Sequence, residues 1–406
     1  MFGIAGEPRQ GRKSSAHDLG PSALVCSSLK QHAWFERTVM PRSWLVMEQS
    51  PNPGKAPYVA RFESIGRRLP TTRLATEELM ATTRHRTRVD LERLTGIHEH
   101  RVAAEDEDSL SLAAGAAADC LRRSRHSAGD LQMLVSCSIT KYRGGLDTWL
   151  EPPMSLAVAQ QIGATKAMTF DISNACAGML TGVFVVANHI RRGEIDCGMV
   201  VSGEYISQLG RNAAKHVRNI MSSELASLTL GDAGAAAIVE RAPEGVTGIS
   251  VAGFTTVSEH SRLCLAYPAR HDPGARMFTK SRAIQRVAIA DTPILMQEAL
   301  DAAGLSITDI DWVIPHQTSA RAIRKGMKDI CEALGGEPRN EAVVTVDHYG
   351  NTASTSHCVA LVEELEAGRV KAGDRVALLA LASGLEIGII LFTVDDELVS
   401  RYGNDA

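Results

Sequence analysis

From Tyr58 onward, short apolar runs alternate with helical stretches, and that alternation restricts the chain to an α/β fold. Tyr58–Ile65 alternates apolar and polar residues as a strand does. Ser109–Arg125 has helical spacing and ends in a basic turn, as helix C-termini prefer. Leu131–Ser136 and Lys166–Asp171 read as short buried strands, and the apolar helix Ala177–Arg192 opens directly after the second. Cys197–Ser202 and Ala235–Val239 are further strands, with the tight turn Gly231-Asp-Ala-Gly-Ala235 leading into the latter. A second half repeats the rhythm. It runs through helix Ala283–Ala303, strand Trp312–Pro315 and helix Thr318–Leu334, which stops at Gly335-Gly336. Strand Val343–Val346, helix Thr352–Ala367 and strands Val376–Leu381 and Ile387–Val394 follow. No short solenoid repeat is present. What recurs is the order of elements, which divides the folded part into halves at 56–240 and 241–406.

Composition agrees with this reading. Aromatic residues make up only 4% of the 406 residues, while there are 34 glycines, so close helix-on-sheet packing is expected. A net charge of -4 argues against a general nucleic-acid binder, which needs a basic face. The 8 cysteines are scattered without a C-x-x-C pair, so neither a zinc site nor a disulfide framework is expected, and a reducing cytosol is the default compartment. No motif calls for a cofactor or a metal. The apolar stretch Val376–Val394 is interrupted by Ser383, Gly384, Glu386 and Gly388, and reads as two buried strands rather than a membrane span. Residues 1–55 are rich in Pro, Gly, Ser and basic residues, lack a continuous apolar signal-peptide core, and read as a disordered extension.

Three segments carry chemistry-bearing residues between a strand and a helix. In Asp171-Ile-Ser-Asn-Ala-Cys176-Ala-Gly178, a cysteine falls where a buried strand runs into an apolar helix. A helix N-terminus presents unpaired N–H groups and partial positive charge, both of which lower a thiol pKa. A buried inert cysteine would satisfy the same pattern. Val313-Ile-Pro-His316-Gln puts a histidine at a strand end, where α/β active sites lie. His348-Tyr-Gly350-Asn351-Thr-Ala-Ser354 puts an asparagine just before a helix, which alone would read as an N-cap. Three such sites in one chain favour a shared purpose.

DISNACAG, VIPHQTSARAI and HYGNTAS resemble the three active-site blocks of the β-ketoacyl-ACP synthase III branch of the thiolase superfamily. TLGDAGAAAIVE and TGIHEHRVA resemble further segments of that family, and the similarity runs in order across residues 57–395. The resemblance implies a thiolase fold of two pseudo-symmetric α-β-α-β-α halves, and a homodimer. It implies an acyltransferase in which Cys176 takes an acyl group as a thioester. A Claisen condensation then joins that group to a second acyl or β-ketoacyl thioester, carried by an acyl carrier protein or CoA. His316 and Asn351 would donate hydrogen bonds to the oxygen of the second thioester. The N–H groups of Cys176 and Gly384 would bind the acylation oxyanion. Arg321 matches a carrier-protein contact, although a solvated helix charge would look the same.

The sequence also departs from that family. Asp90 and Leu94 stand where priming synthases carry the Trp and Arg that clamp CoA, which favours carrier-bound substrates. Ala382-Ser-Gly384-Leu385 replaces the usual Gly-Gly-Gly-Phe loop, and Glu386 follows it. Glu151 stands where a Phe usually closes the partner's acyl pocket. It resembles the glutamate base of thiolase-fold enzymes that join two acyl chains head to head without decarboxylation. A surface glutamate before Pro152-Pro153 is the plainer alternative. These departures point to specialised metabolism, such as pyrone, resorcinol or long-chain ketone formation. The alternatives are a decarboxylating synthase III using malonyl-ACP, an acyltransferase acting on a hydroxyl or amine, and a non-catalytic partner subunit. Residues 205–230 and 254–280 are expected to line the acyl tunnel.

Overall fold

Two mixed sheets organise the protein in a computed structural model that describes residues 58–403; the expected N-terminal extension lies outside the described residues. The first sheet contains β1 (Ala60–Arg68), β2 (Met133–Ser136), β3 (Met168–Asp171), β4 (Cys197–Glu204) and β5 (Ala233–Arg241), in the order β1-β5-β4-β2-β3. β3, β2 and β4 run parallel, whereas β5 is antiparallel to both β4 and β1. A second sheet contains β6 (Ile249–Thr256). An antiparallel ribbon, β7 (Cys264–Pro268) and β8 (Ala275–Thr279), follows β6 in the chain. β9 (Trp312–Pro315), β10 (Arg375–Ala382) and β11 (Glu386–Thr393) complete the second sheet, in the order β6-β11-β10-β9. Its directions repeat those of the first sheet: β9 and β10 are parallel, and β11 is antiparallel to both its neighbours.

The repeat is short by one strand. The expected strand Val343–Val346 does not form; 341–345 is irregular, and a single turn of helix covers Val346–Tyr349. Only the Val343 N–H reaches a strand neighbour, the Val313 carbonyl, at 3.1 Å. The side chain of Gln317 takes three more backbone groups of this stretch. Its Nε2 donates to the carbonyls of Val343 (3.0 Å) and Pro315 (2.8 Å). Its Oε1 accepts from the N–H groups of Thr345 (2.9 Å) and Val346 (3.2 Å). A buried backbone needs partners, and one amide supplies what a ladder would have supplied.

Among the described residues there are seven longer helices: α1 (Ser109–Arg123), α2 (Met154–Ile162), α3 (Gly178–Arg191), α4 (Ser207–Ala214), α5 (Ser281–Ala303), α6 (Ala320–Leu334) and α7 (Ser356–Glu366). α3 and α7 share one core with residues of both sheets, through Leu180, Val183, Val186, Val359, Val362 and Leu365. A helix between two sheets needs an apolar surface on more than one side, which α3 shows along most of its length and α7 shows from Cys358 to Val362. α1 and α2 cover the outer face of the first sheet, with Leu110, Ala113, Met154 and Val158 buried there. α5 and α6 cover the second sheet through Leu295, Met296, Met327 and Ile330. The layers are therefore α-β-α-β-α, as expected. Gly203 on β4 and Gly234 on β5 face each other in register beneath α1. A Cβ on either would lie 2.0 Å from a carbonyl oxygen of α1, that of Ser109 or Leu112, so the helix can approach this closely only over glycine. No helix among the described residues is long and apolar enough to cross a membrane.

Candidate active site

The C-terminal ends of β3 and β9 deliver two of the three residues, and the loop before α7 delivers the third. Cys176 sits in the short 3-10 turn Ala175–Ala177, two residues ahead of α3. Ala175 adopts the left-handed region at φ 43°. A side chain there costs about 1–3 kcal/mol and persists only when its neighbours hold it. The turn packs against strand β10 and against the turn Ala353–Thr355 that follows Asn351. Cys176 itself lies against Ile206, Leu209, Leu230 and Ala353, with Ala275 and Met277 of the β7–β8 ribbon on the same cluster.

That apolar surrounding corrects one expectation. The helix N-terminus does not hold Cys176 as a thiolate: burial pushes its thiol well above the ordinary range, Cys264 and Glu204 push the same way, and only its own N–H opposes. Alkylation of Cys176 by iodoacetamide should therefore rise about tenfold per pH unit between pH 7 and 9, following thiolate fraction. A plateau below pH 8 would show a thiolate held by the fold instead.

His316 follows β9, and its N–H donates to the Leu379 carbonyl at 2.8 Å. Its ring is buried and stacks on His357, with centroids 5.8 Å apart. Burial, aided by the neighbouring His357, pushes its pKa down to about 3, so the imidazole is neutral. Nδ1 lies 3.0 Å from the Ser356 hydroxyl. With Ser356 donating to Nδ1, the proton sits on Nε2, which has no hydrogen-bond partner among the described residues. Asn351 is oriented in the same sense. Its Oδ1 accepts from the Ala353 N–H at 2.9 Å, which leaves Nδ2 as the free donor. Its backbone is clamped to the Gly231 turn: the Asn351 N–H donates to Thr229 (2.8 Å), and the Gly231 N–H donates to Asn351 (3.0 Å). Gly350 before it has φ 71°, and a Cβ there would sit 2.7 Å from Nδ1 of buried His100. The site thus offers two neutral side-chain donors.

Two buried carboxylates hold this frame, and the sequence reading assigned a role to neither. Glu204, at the end of β4, accepts from the N–H groups of Ile139 (2.9 Å) and Thr140 (3.3 Å) and from the hydroxyls of Ser202 (3.0 Å) and Ser354 (2.5 Å). It therefore joins the first half to the turn after Asn351. Asp232 accepts from the N–H groups of Ala103 (2.8 Å), Ile206 (2.7 Å) and Ser207 (2.7 Å), tying the TGIHEHRVA segment to the Gly231 turn. Burial pushes both carboxyls up, against the pull of these hydrogen bonds. A charged residue ending an apolar strand, Val200-Val-Ser-Gly-Glu204, was the available signal.

The remaining expected residues are spread out. Gly384 lies in the turn between β10 and β11 with φ 139°, followed by a cis peptide to Leu385. Asp90 caps a short helix, accepting from the Arg93 N–H at 2.8 Å. Arg321 is exposed on α6 beside Arg324, Lys325 and Lys328. Glu151 is exposed in the loop ahead of α2, next to Leu150, and is not among the residues packed round Cys176. The start of α2, just after that loop, is anchored to the end of β3: Asp171 accepts from the N–H groups of Met154 (3.1 Å) and Ser155 (2.9 Å).

Comparison with known proteins agrees with the geometry. Residues 170–258 match the family model of 3-oxoacyl-[acyl-carrier-protein (ACP)] synthase III, and residues 300–394 match the model of that enzyme's C-terminal part. The β-ketoacyl-[acyl-carrier-protein] synthase III of Deinococcus deserti is 28% identical over 300 residues, covering 73% of this chain and 80% of the relative. That of Symbiobacterium thermophilum is 29% identical over 310 residues, covering 73% and 86%. Among solved structures, a glutamate-to-glutamine variant of Xanthomonas campestris OleA superposes with a TM-score of 0.72 at 23% identity, covering 83% of this chain and 97% of that one. A cysteine-to-serine variant of OleA with bound lauric acid and lauroyl-CoA gives 0.72 at 23%, covering 83% and 99%. The architecture is the thiolase fold. The two matched segments and the curated relatives mark the chain as a β-ketoacyl-ACP synthase III-like condensing acyltransferase, built on the thiolase fold.

Proposed function

We propose that this enzyme loads an acyl group onto Cys176 and condenses it with a second acyl or β-ketoacyl thioester, using His316 and Asn351 as the donors to the oxygen on which charge develops. The observation that carries this is the orientation of the two donors. Ser356 can fix the His316 proton on Nε2, and Ala353 turns the Asn351 amide so that Nδ2 is free. Two neutral donors favour an enolate over the starting carbonyl without supplying a proton outright. The N–H groups of Cys176 and Gly384 serve the acylation oxyanion. In this reading residues 56–240 contribute the nucleophile and residues 241–406 contribute the donors.

Both thioesters arrive on a carrier protein. Arg321, Arg324, Lys325 and Lys328 form a basic exposed face on α6, which suits an anionic carrier and its phosphopantetheine. Arg321→Glu should raise the KM for a carrier-borne substrate about tenfold and leave an N-acetylcysteamine thioester unaffected. Steady-state kinetics on both substrates checks this.

The working unit is a homodimer. Among the described residues β3 has a neighbour on one side only, and Met168 on it is 52% exposed, while Leu150 in the loop before α2 is 81% exposed. An unpaired edge with apolar flanks favours pairing with a second copy. Because Asp171 ties the start of α2, just after the Glu151 loop, to the end of β3, that edge brings Glu151 toward the partner. There it serves as the base for a non-decarboxylating, head-to-head condensation in specialised metabolism. A decarboxylating reaction with malonyl-ACP is the second reading, favoured by the names of the curated relatives. Product mass spectrometry separates them. Two acyl thioesters should give a β-keto product with no release of CO2. A strict requirement for malonyl-ACP, with stoichiometric CO2, would establish the second reading instead.

A further inference from the structure

Glu386 opens β11 directly after the turn that carries Gly384 and is only half-exposed. It forms no ion pair among the described residues. Its Oε1 accepts instead from Asn174 Nδ2 at 2.8 Å. The same Nδ2 donates to Thr181 Oγ1 at 2.8 Å, and Thr181 gives its own proton to the Ala177 carbonyl at 2.9 Å. Both partners of Nδ2 are therefore acceptors, and the Asn174 amide has one orientation. On the other side Glu386 pairs in register with Thr256 of β6, whose hydroxyl is 3.5 Å from Oε2. Leu385 is held by Val257, which donates to the Leu385 carbonyl at 2.8 Å and accepts from its N–H at 3.4 Å.

Asn174 immediately precedes Ala175, the left-handed residue on which the Cys176 turn depends. Its side chain is thus a strut at the base of a strained elbow. We infer that Glu386 is a positioning residue: through Asn174 it ties the loop carrying Cys176 to the loop carrying Gly384, and so sets the nucleophile against the oxyanion donors. This rests on the reading of Cys176 and Gly384 given above. The hydrogen bond to a carboxylate is stronger than one to a neutral acceptor, and the contact crosses between the two halves of the fold. Neither Glu386 nor Asn174 touches the reacting atoms in this scheme. Their effect is geometric, and misplacement of reacting groups by about 1 Å can cost on the order of 100-fold in rate.

The test follows acylation of Cys176 by a decanoyl carrier protein in single turnover by intact mass, alongside alkylation by iodoacetamide, which requires the thiol but no oxyanion donor. Glu386→Ala should slow acylation about 10- to 100-fold at saturating thioester while alkylation stays within about threefold of wild type. Glu386→Gln should restore acylation to within about threefold, because its Oε1 accepts the same bond. Asn174→Asp, which sets carboxylate against carboxylate, should be as slow as Glu386→Ala. The double variant Asn174→Asp with Glu386→Gln, which exchanges donor and acceptor, should recover most of the rate. Wild-type rates in Glu386→Ala, equal losses of acylation and alkylation, or a Gln variant as slow as Ala would each overturn the tether while leaving Cys176 as the nucleophile. Wild-type protein that forms no adduct at all would overturn the reading of Cys176 and the tether with it.

Discussion

His316→Ala should lower the condensation rate at saturating substrate about 100- to 1,000-fold, the effect of removing one donor from a developing oxyanion. Acylation of Cys176 should fall much less, because the acylation oxygen is bound by backbone N–H groups. Single-turnover acylation and steady-state condensation, measured on the same variant, separate the two steps. Equal losses in both would place His316 in acylation instead. The pH behaviour follows from burial. The His316 pKa lies near 3, and those of His100 and His357 are pushed down to about 4, in each case chiefly by burial. The condensation rate should therefore show no histidine titration between pH 5 and 8. Stability should show one. Between pH 6.5 and about 3 the unfolded chain binds protons that the folded rings refuse, so these histidines stabilise the fold above pH 6.5 and lose that contribution as pH falls. His316→Asn should remove part of this acid limb and keep a donor near the same place.

Glu151→Gln should lower C–C bond formation about 100- to 10,000-fold, the range of a general base, with Cys176 acylation intact. The side chain is exposed in one copy, just ahead of the α2 start anchored beside the unpaired edge of β3, so its effect should depend on the dimer. Mixing Glu151→Gln with Cys176→Ala tests this directly. Each variant alone should be inactive in condensation. In a mixed dimer, the Cys176→Ala subunit supplies Glu151 to the intact Cys176 of its partner, and activity should return. Glu151→Gln protein that condenses at the wild-type rate would remove the residue from the mechanism and favour decarboxylation as the source of the carbanion.

Much of this architecture was legible in the residue pattern, because strands buried on both faces and helices between sheets leave long apolar runs. Trp312–Pro315 and the helix after Cys176 are such cases. The missing strand at 343–346 was not legible, because Gln317 satisfies the backbone that a ladder would have satisfied, and nothing in Val343-Val-Thr-Val346 reports that. The β7–β8 ribbon was missed as a hairpin, although its position against Cys176 agrees with the expected tunnel wall. At the site, Cys176 and His316 were singled out from their places between a strand and a helix and Asn351 from its place before a helix, and the family resemblance gave all three their proposed roles. The electrostatic state of Cys176 was not, since a helix N-terminus argues for a thiolate and only the packed surroundings show that burial prevails. Glu204 and Asp232 were overlooked for a related reason: a charge at the end or start of an apolar strand marks them, but their partners are backbone N–H groups far away in sequence.

Every step of the proposed reaction passes through an acyl group on Cys176. Intact-mass analysis after incubation with decanoyl-CoA or a decanoyl carrier protein tests it most directly. One decanoyl group should be added per wild-type chain, mapped to Cys176 by peptide analysis, released on adding the second thioester, and absent in Cys176→Ala. An adduct that survives in Cys176→Ala, or condensation that proceeds without Cys176, would contradict it.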